Sequence, residues 1–198
     1  MGYSSGYWIN SGNLLLNFYR DPERKIPKGN NIVSPADGRV ISIIDTSKDI
    51  IKVKKGLLGK IRVLTKDVAK KCYVVSIFMS PLDVHVNRAP IEGTIKSVKH
   101  TNGKFFRAYD LEKSMENEKN EIVIENKKIK IKIVQIAGFL ARRIICRVNL
   151  HQKVNKGQRI GMIALGSQAT LIMPGVVKLK VKLGEKVKAG STIIAEAK

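Results

Sequence analysis

The chain's 198 residues, 43% of them hydrophobic, suffice for one domain with a full core, and 37 Lys+Arg against 16 Asp+Glu leave a formal charge of +21. So positive a surface excludes cationic partners and selects anionic ones, either nucleic acid or an acidic lipid leaflet. Aromatic residues make up only 6%. There is no aromatic RNP-type strand, no zinc-finger Cys/His spacing and no basic helix running into heptads, so no nucleic-acid partner is expected.

In chain order, residues 1–28 read as an N-terminal interfacial segment. Tyr7-Trp8-Ile9 and Leu14-Leu15-Leu16-Asn17-Phe18-Tyr19, backed by Arg20, Arg24, Lys25 and Lys28, are residue types that settle at a lipid interface. The apolar stretch is too short and interrupted to cross a bilayer, which takes about 20 apolar residues. A charged region leading into a long apolar run is also missing, which argues against a cleaved signal peptide and for a cytosolic face.

Beyond it, short runs rich in Val and Ile are separated by Gly, Pro and Asn, the pattern of many β-strands. Strands are predicted near 40–44, 50–53, 74–78, 93–98, 121–125, 129–136, 143–148, 159–164 and 170–172. Helix is predicted only over 80–87, with Ser80 as N-cap and Pro81 in the first turn, and over 108–115. Residues 117–120 read as a polar turn. In 130–134 and 177–183 lysines alternate with aliphatics, which turns the lysines toward water or lipid phosphates.

Pro35-Ala36-Asp37-Gly38, Pro90-Ile91-Glu92-Gly93 and Pro174-Gly175 are turns that open strands. The run Val154-Asn155-Lys156-Gly157-Gln158-Arg159-Ile160 is echoed by Val187-Lys188-Ala189-Gly190-Ser191-Thr192-Ile193, and each resembles the turn before a strand in biotinyl or lipoyl carrier modules. The expected fold is mostly β (α+β). It is a compact, barrel-sandwich hybrid-like domain of short hairpins with few short helices, spanning residues 29–198. Cys72 and Cys146 stand singly in apolar runs and read as buried reduced thiols, with no metal site implied.

The chemistry centres on Gly166-Ser167, set between a glycine-punctuated run and an apolar strand. A Gly-Ser bond in a tight turn suits attack by the serine oxygen on its own preceding carbonyl. The ester so formed undergoes β-elimination to dehydroalanine, which hydrolyses to a pyruvoyl group and ammonia. A ketone at the new N-terminus forms a Schiff base with a substrate amine and accepts electrons as CO2 leaves. Most Gly-Ser pairs, however, are ordinary turns.

Other segments give this one its meaning. Phe18-Tyr19-Arg20-Asp21-Pro22-Glu23-Arg24, Ser34-Pro35-Ala36-Asp37-Gly38 and Met79-Ser80-Pro81-Leu82-Asp83-Val84-His85-Val86-Asn87-Arg88-Ala89-Pro90 are followed by Asn102-Gly103-Lys104-Phe105, Asn117-Glu118-Lys119, Gln135-Ile136-Ala137-Gly138 and Leu165-Gly166-Ser167. In this order and spacing they resemble the phosphatidylserine decarboxylase proenzyme family, in its short prokaryotic (archaeal-type) branch. The resemblance covers nearly the whole chain.

It implies a single catalytic domain that cuts itself into 1–166 (beta chain) and 167–198 (alpha chain), which stay together as a heterodimer. The mature form would use a pyruvoyl group derived from Ser167 to decarboxylate phosphatidylserine or archaetidylserine. It would sit peripherally on the cytoplasmic side of the cell membrane, against anionic phospholipid. Higher oligomers are left open.

The resemblance also marks His85 as an active-site residue and Asp37 as the member of a self-cleavage triad. His100 and His151 sit beside predicted turns and are read as structural. Larger members carry a second histidine three residues after the position of His85, where this chain has Arg88. Two routes follow: His85 activates Ser167 with Asp37 orienting it, or the missing base is water or Asp37. Arg88 would then hold a substrate carboxylate or phosphate, and Phe78, Met79 and Phe139 are candidates for an apolar wall beside the ketone. The rival reading is a carrier or basic ligand-binding β-module, with Lys198 bearing a cofactor. A carrier lysine needs a hairpin with chain on both sides, and Lys198 is the last residue.

Overall fold

The computed structural model describes residues 19–48, 55–104, 106, 111–114, 116–138, 143–164 and 167–197. The predicted strand at 50–53, residues 1–18 of the interfacial segment, Gly166, Phe139 and Lys198 lie outside the described residues.

Among the described residues the chain forms fourteen strands and two helices. They are β1 (Asn31–Val33), β2 (Gly38–Asp45), α1 (Lys55–Thr65), β3 (Cys72–Met79), β4 (Val86–Arg88), β5 (Gly93–Thr101), α2 (Leu111–Ser114), β6 (Lys119–Glu125) and β7 (Lys130–Ile136). Then follow β8 (Ile144–Cys146), β9 (Lys153–Val154), β10 (Arg159–Ile163), β11 (Ser167–Pro174), β12 (Lys178–Leu179), β13 (Lys186–Val187) and β14 (Ile193–Glu196). The fold is mostly β, and the large sheet curls into a half-barrel.

Three sheets hold the strands: β13-β2-β3-β11-β7-β6-β5-β9, β4-β10-β8 and β1-β14-β12. Strand β11 lies inside the large sheet, antiparallel to β3 on one side and to β7 on the other. One face of the large sheet meets the small sheets around Ile77, Met79, Ile122, Ile133, Ile160, Ile163, Ala169 and Leu171. The other is covered by α1, whose Ile61 and Leu64 pack with Val74, Ile136 and Ile172.

The carrier-like echo is a real structural repeat. Val40 N–H bonds to Glu185 O and Gly184 N–H returns to Val40 O, as Ile95 N–H bonds to Gln152 O and His151 N–H returns to Ile95 O. Gly190 N–H reaches Ser34 O as Gly157 N–H reaches Ala89 O, both at 2.8 Å. Val187 stands opposite Gly38 as Val154 stands opposite Gly93. His151 takes the place of Gly184 in this plan, which accounts for its left-handed φ of 66°.

Five expectations are corrected. Residues 80–85 are a turn rather than a helix, because Asp83 Oδ2 accepts from Ser80 N–H and Oγ–H while Val86–Arg88 pairs with β10. Asn120, placed in a polar turn, belongs to β6 opposite Gln135. Helix α1 was not predicted, since Gly56, Gly59 and Val63 depress helix propensity locally and only packing on the sheet secures it. Lys132 is 3% exposed instead of facing solvent, since both faces of the sheet are covered; its ammonium meets Asp67 at 2.6 Å, Glu121 at 3.0 Å and Leu64 O at 2.9 Å. Of the two thiols, Cys72 is buried as expected but Cys146 is exposed on β8, an edge strand.

Candidate active site

Ser167 is the first residue of β11 and fully buried. It stands opposite Met79 at the end of β3, and its Oγ–H donates to Met79 Sδ at 3.5 Å. Strand β10 ends at Ile163, so only three residues separate it from β11. His85 is held at the end of β10: its carbonyl accepts from Ile163 N–H at 3.3 Å, and the next residue, Val86, pairs with Met162. The structure thus sets His85 beside the end of β10, whose last residue lies four positions before Ser167.

The His85 ring is wholly buried, and Nδ1 lies 2.8 Å from the Asp83 carbonyl. A carbonyl only accepts, so Nδ1 carries the hydrogen and Nε2 carries the lone pair. Burial lowers the His85 pKa below its ordinary 6.5, outweighing the opposing effects of Asp83. The ring is therefore neutral near pH 7, the state a general base requires.

Asp37 is also buried, at 8% exposure, on the turn that opens β2. Oδ2 meets Arg24 at 2.7 Å and Oδ1 accepts from Ala189 N–H at 2.8 Å. Desolvation raises its pKa, opposed first by the Ala189 bond and then by Arg24. Its counterpart in the repeat, Glu92, is exposed. The two copies of the plan therefore differ at this carboxylate, and only the copy on the Ser167 side buries it. Since Arg39, Phe78 and Gln168 stand abreast on β2, β3 and β11, Asp37 and Ser167 lie about two strand spacings apart, roughly 10 Å.

Arg88 is 4% exposed and already occupied: it donates to Gly157 O at 3.0 Å, Asp21 Oδ1 at 2.8 Å and Pro22 O at 3.1 Å. Here it braces residues 21–22 rather than presenting a free fork to a substrate anion. Phe78 is half-buried on β3, next to Met79.

Residues 20–24, read from sequence as a family motif at the end of the interfacial segment, form an extended charged strap across the site. Arg20 donates to Leu82 O, Asp21 pairs with Arg88 and Arg159, Glu23 with Arg159 and Arg24 with Asp37. One short segment thereby touches the His85 turn, Arg88 and Asp37. Sequence reading missed a buried line of carboxamides behind Met79, comprising Asn87, Gln135 and Asn120.

Surface concavities of about 440, 530 and 560 Å³ open elsewhere, around Lys156, Lys127 and Lys60 respectively. Among the described residues no cluster of His, Cys, Asp and Glu is arranged to hold a metal ion, and no helix is long and apolar enough to cross a membrane.

The family model described as phosphatidylserine decarboxylase matches residues 12–195. This chain belongs to the phosphatidylserine decarboxylase family. It is 48% identical over 179 residues to a putative archaetidylserine decarboxylase proenzyme of Methanocaldococcus jannaschii, covering 90% of this chain and 87% of the relative. A phosphatidylserine decarboxylase proenzyme of Chlorobium phaeobacteroides is 42% identical over 180 residues, covering 90% and 77%. One of Wolbachia pipientis is 44% identical over 184 residues, covering 92% and 75%. Membership makes the protein a decarboxylase, and the carrier-module alternative leaves most of this match unexplained.

Proposed function

We propose that the protein decarboxylates the serine headgroup of phosphatidylserine or archaetidylserine, using a pyruvoyl group that it makes by cutting itself between Gly166 and Ser167. The names of its relatives supply the substrate class. The observation that carries the self-processing reading is the position of Ser167, fully buried at the head of β11, with neutral His85 bonded through its carbonyl to the last residue of β10.

In this reading His85 Nε2 takes the Ser167 hydroxyl proton while Oγ attacks the Gly166 carbonyl, exchanging an amide for an ester and freeing the Ser167 nitrogen. Loss of the Ser167 α-proton breaks the Cβ–O bond and releases Gly166 as a carboxylate. Water then converts the dehydroalanine to the ketone and ammonia. The weak thioether acceptor at Met79 holds Oγ without competing for its proton.

The site fits such a group: a small buried residue faces apolar Met79, and neutral His85 is held at the end of β10. The ketone would take the substrate amine and the electrons released with CO2. The chain itself excludes water, and His85 is placed to return a proton to the substrate. Asp37 is the second acid/base group. Phe78, Met79 and Phe139 are assigned to the apolar wall, and Arg88 to holding the strap against the site.

We further place the protein peripherally on the cytoplasmic side of the cell membrane. A formal charge of +21 favours an acidic leaflet at about 1 kcal/mol per basic residue near the surface. Tyr19 and Leu82, 67% and 55% exposed, sit beside the strap as apolar contacts for it.

The deciding test is intact mass of freshly made protein under denaturing conditions. Two fragments are expected, the smaller beginning at residue 167 with a keto group in place of its amine. Ser167→Ala should give one 22.0 kDa mass and no activity. A wild-type protein that stays whole, or a small fragment with an ordinary amino terminus, would refute the reading.

A further inference from the structure

Behind Met79 three carboxamides are buried in sequence, with Asn87 and Gln135 0% exposed and Asn120 1% exposed. Asn120 Nδ2 donates to Gln135 Oε1 at 2.8 Å, and Gln135 Nε2 donates to Asn87 Oδ1 at 2.8 Å. Asn87 Nδ2 thereby faces the Pro35 carbonyl at 3.4 Å and Met79 Sδ at 3.8 Å. The same sulfur accepts from Ser167 Oγ at 3.5 Å.

The chain of amides crosses from β6 through β7 to β4, and its end joins three pieces of the site. Asn87 lies two residues after His85, and Pro35 two residues before Asp37. Met79 is the wall against Ser167. Burying amides is costly unless each is satisfied, and aliphatic side chains would fill the same space more cheaply. What amides add is direction. Each fixes the next, so Asn87 can aim its N–H groups one way only.

We propose that Asn120, Gln135 and Asn87 form a positioning relay for scission at Gly166-Ser167, setting the Asp37 turn, the His85 strand and the Met79 wall in register around the serine hydroxyl. The proposal rests on the self-processing reading above and assigns residues to it. These are positioning residues, because none of their hydrogen bonds is made to Ser167.

The test follows fragment appearance with time in freshly refolded full-length protein, alongside its thermal midpoint. Asn87→Asp keeps shape and still accepts from Gln135, but when ionised it has no donor for Pro35 O or Met79 Sδ. Scission should slow about tenfold near pH 8, the scale of one lost directional hydrogen bond at a reacting group. A protonated carboxyl regains a donor, so the ratio of variant to wild-type rate should rise as pH falls. Passive packing would tie any such recovery to a matching rise in the thermal midpoint, so recovery without that rise is what the relay requires.

Hydroxylamine cleaves esters, so if the relay acts before ester formation it should fail to restore scission in Asn87→Asp. Asn120→Ala, at the far end and remote from Pro35 and Met79, asks least of the core and should slow scission about threefold. Wild-type rates in whichever of these variants folds would overturn the relay. Wild-type protein that never splits would instead overturn the self-processing reading itself.

Discussion

Arg24 and Asp37 form an ion pair 2.7 Å long, with each side chain 11% exposed, and it ties the N-terminal strap to the site carboxylate. Desolvation alone would raise Asp37 further. Arg24→Gln removes the cation and leaves a buried carboxylate with only the Ala189 N–H. A loss of about 3 kcal/mol at pH 7 is expected, as for buried pairs broken on one side.

The sign of its pH dependence follows from linkage. A carboxylate whose folded pKa is raised binds protons more tightly in the native state, so stability falls as pH rises from 3.8 through the folded value. Arg24→Gln widens that window upward. Chemical denaturation at pH 5 and pH 8 should show the variant losing more than wild type between the two; equal losses would mean that Arg24 does not govern Asp37.

His85 yields the opposite dependence. Its folded pKa lies below 6.5, so the neutral ring persists as the solution is acidified, and stability drops only as pH falls from 6.5 through the depressed value. A scission rate that requires the neutral imidazole should hold its plateau below pH 6.5 before declining. His85→Ala should slow scission by about a hundredfold, within the range of general-base contributions. An acid limb centred above 6.5, or normal splitting in His85→Ala, would remove the ring from this role.

Gly38 follows Asp37 at a φ of 147°, and a Cβ there would sit 2.1 Å from the Phe78 carbonyl oxygen. The neighbour is backbone of the adjacent strand and cannot swing aside. Gly38→Ala should therefore cost about 3 kcal/mol or more and displace the Asp37 turn. Its thermal midpoint, set beside that of Gly184→Ala, checks this. Gly184 also has a positive φ of 83°, but nothing lies within 4 Å of the added carbon, so only backbone strain applies.

The strands were legible where Val and Ile recur in short runs, and β2, β3, β5, β6, β7, β8, β10 and β11 fall where the pattern put them. Two-residue strands such as β9 and β13 carry no period of their own; only the echo between 154–160 and 187–193 pointed to them. Ser80-Pro81 imitates a helix start, but tertiary pairing of Val86–Arg88 with β10 wins over that local signal. At the site, Gly166-Ser167, His85 and Asp37 stood out through motif. Asn120 did not, and Gln135 stood in a motif without a role, because an amide's partner lies across strands and leaves no spacing rule in the chain.

Scission after Gly166 would free residues 167–198, yet β11 remains hydrogen-bonded along its length to β3 and over five residues to β7. The same fragment supplies β13 against β2 and β14 against β1. Ala169, Leu171, Met173 and Ile194 of that piece are fully buried against strands of the larger one. At about 25 cal/mol per Å² of apolar surface removed from water, such burial outweighs what one broken backbone bond releases in chain freedom. The two fragments should elute together on size exclusion in native buffer and part only in denaturant, at a midpoint close to that of uncut Ser167→Ala. Separation in native buffer would mean that β11 is not held as the register of β3 and β7 implies.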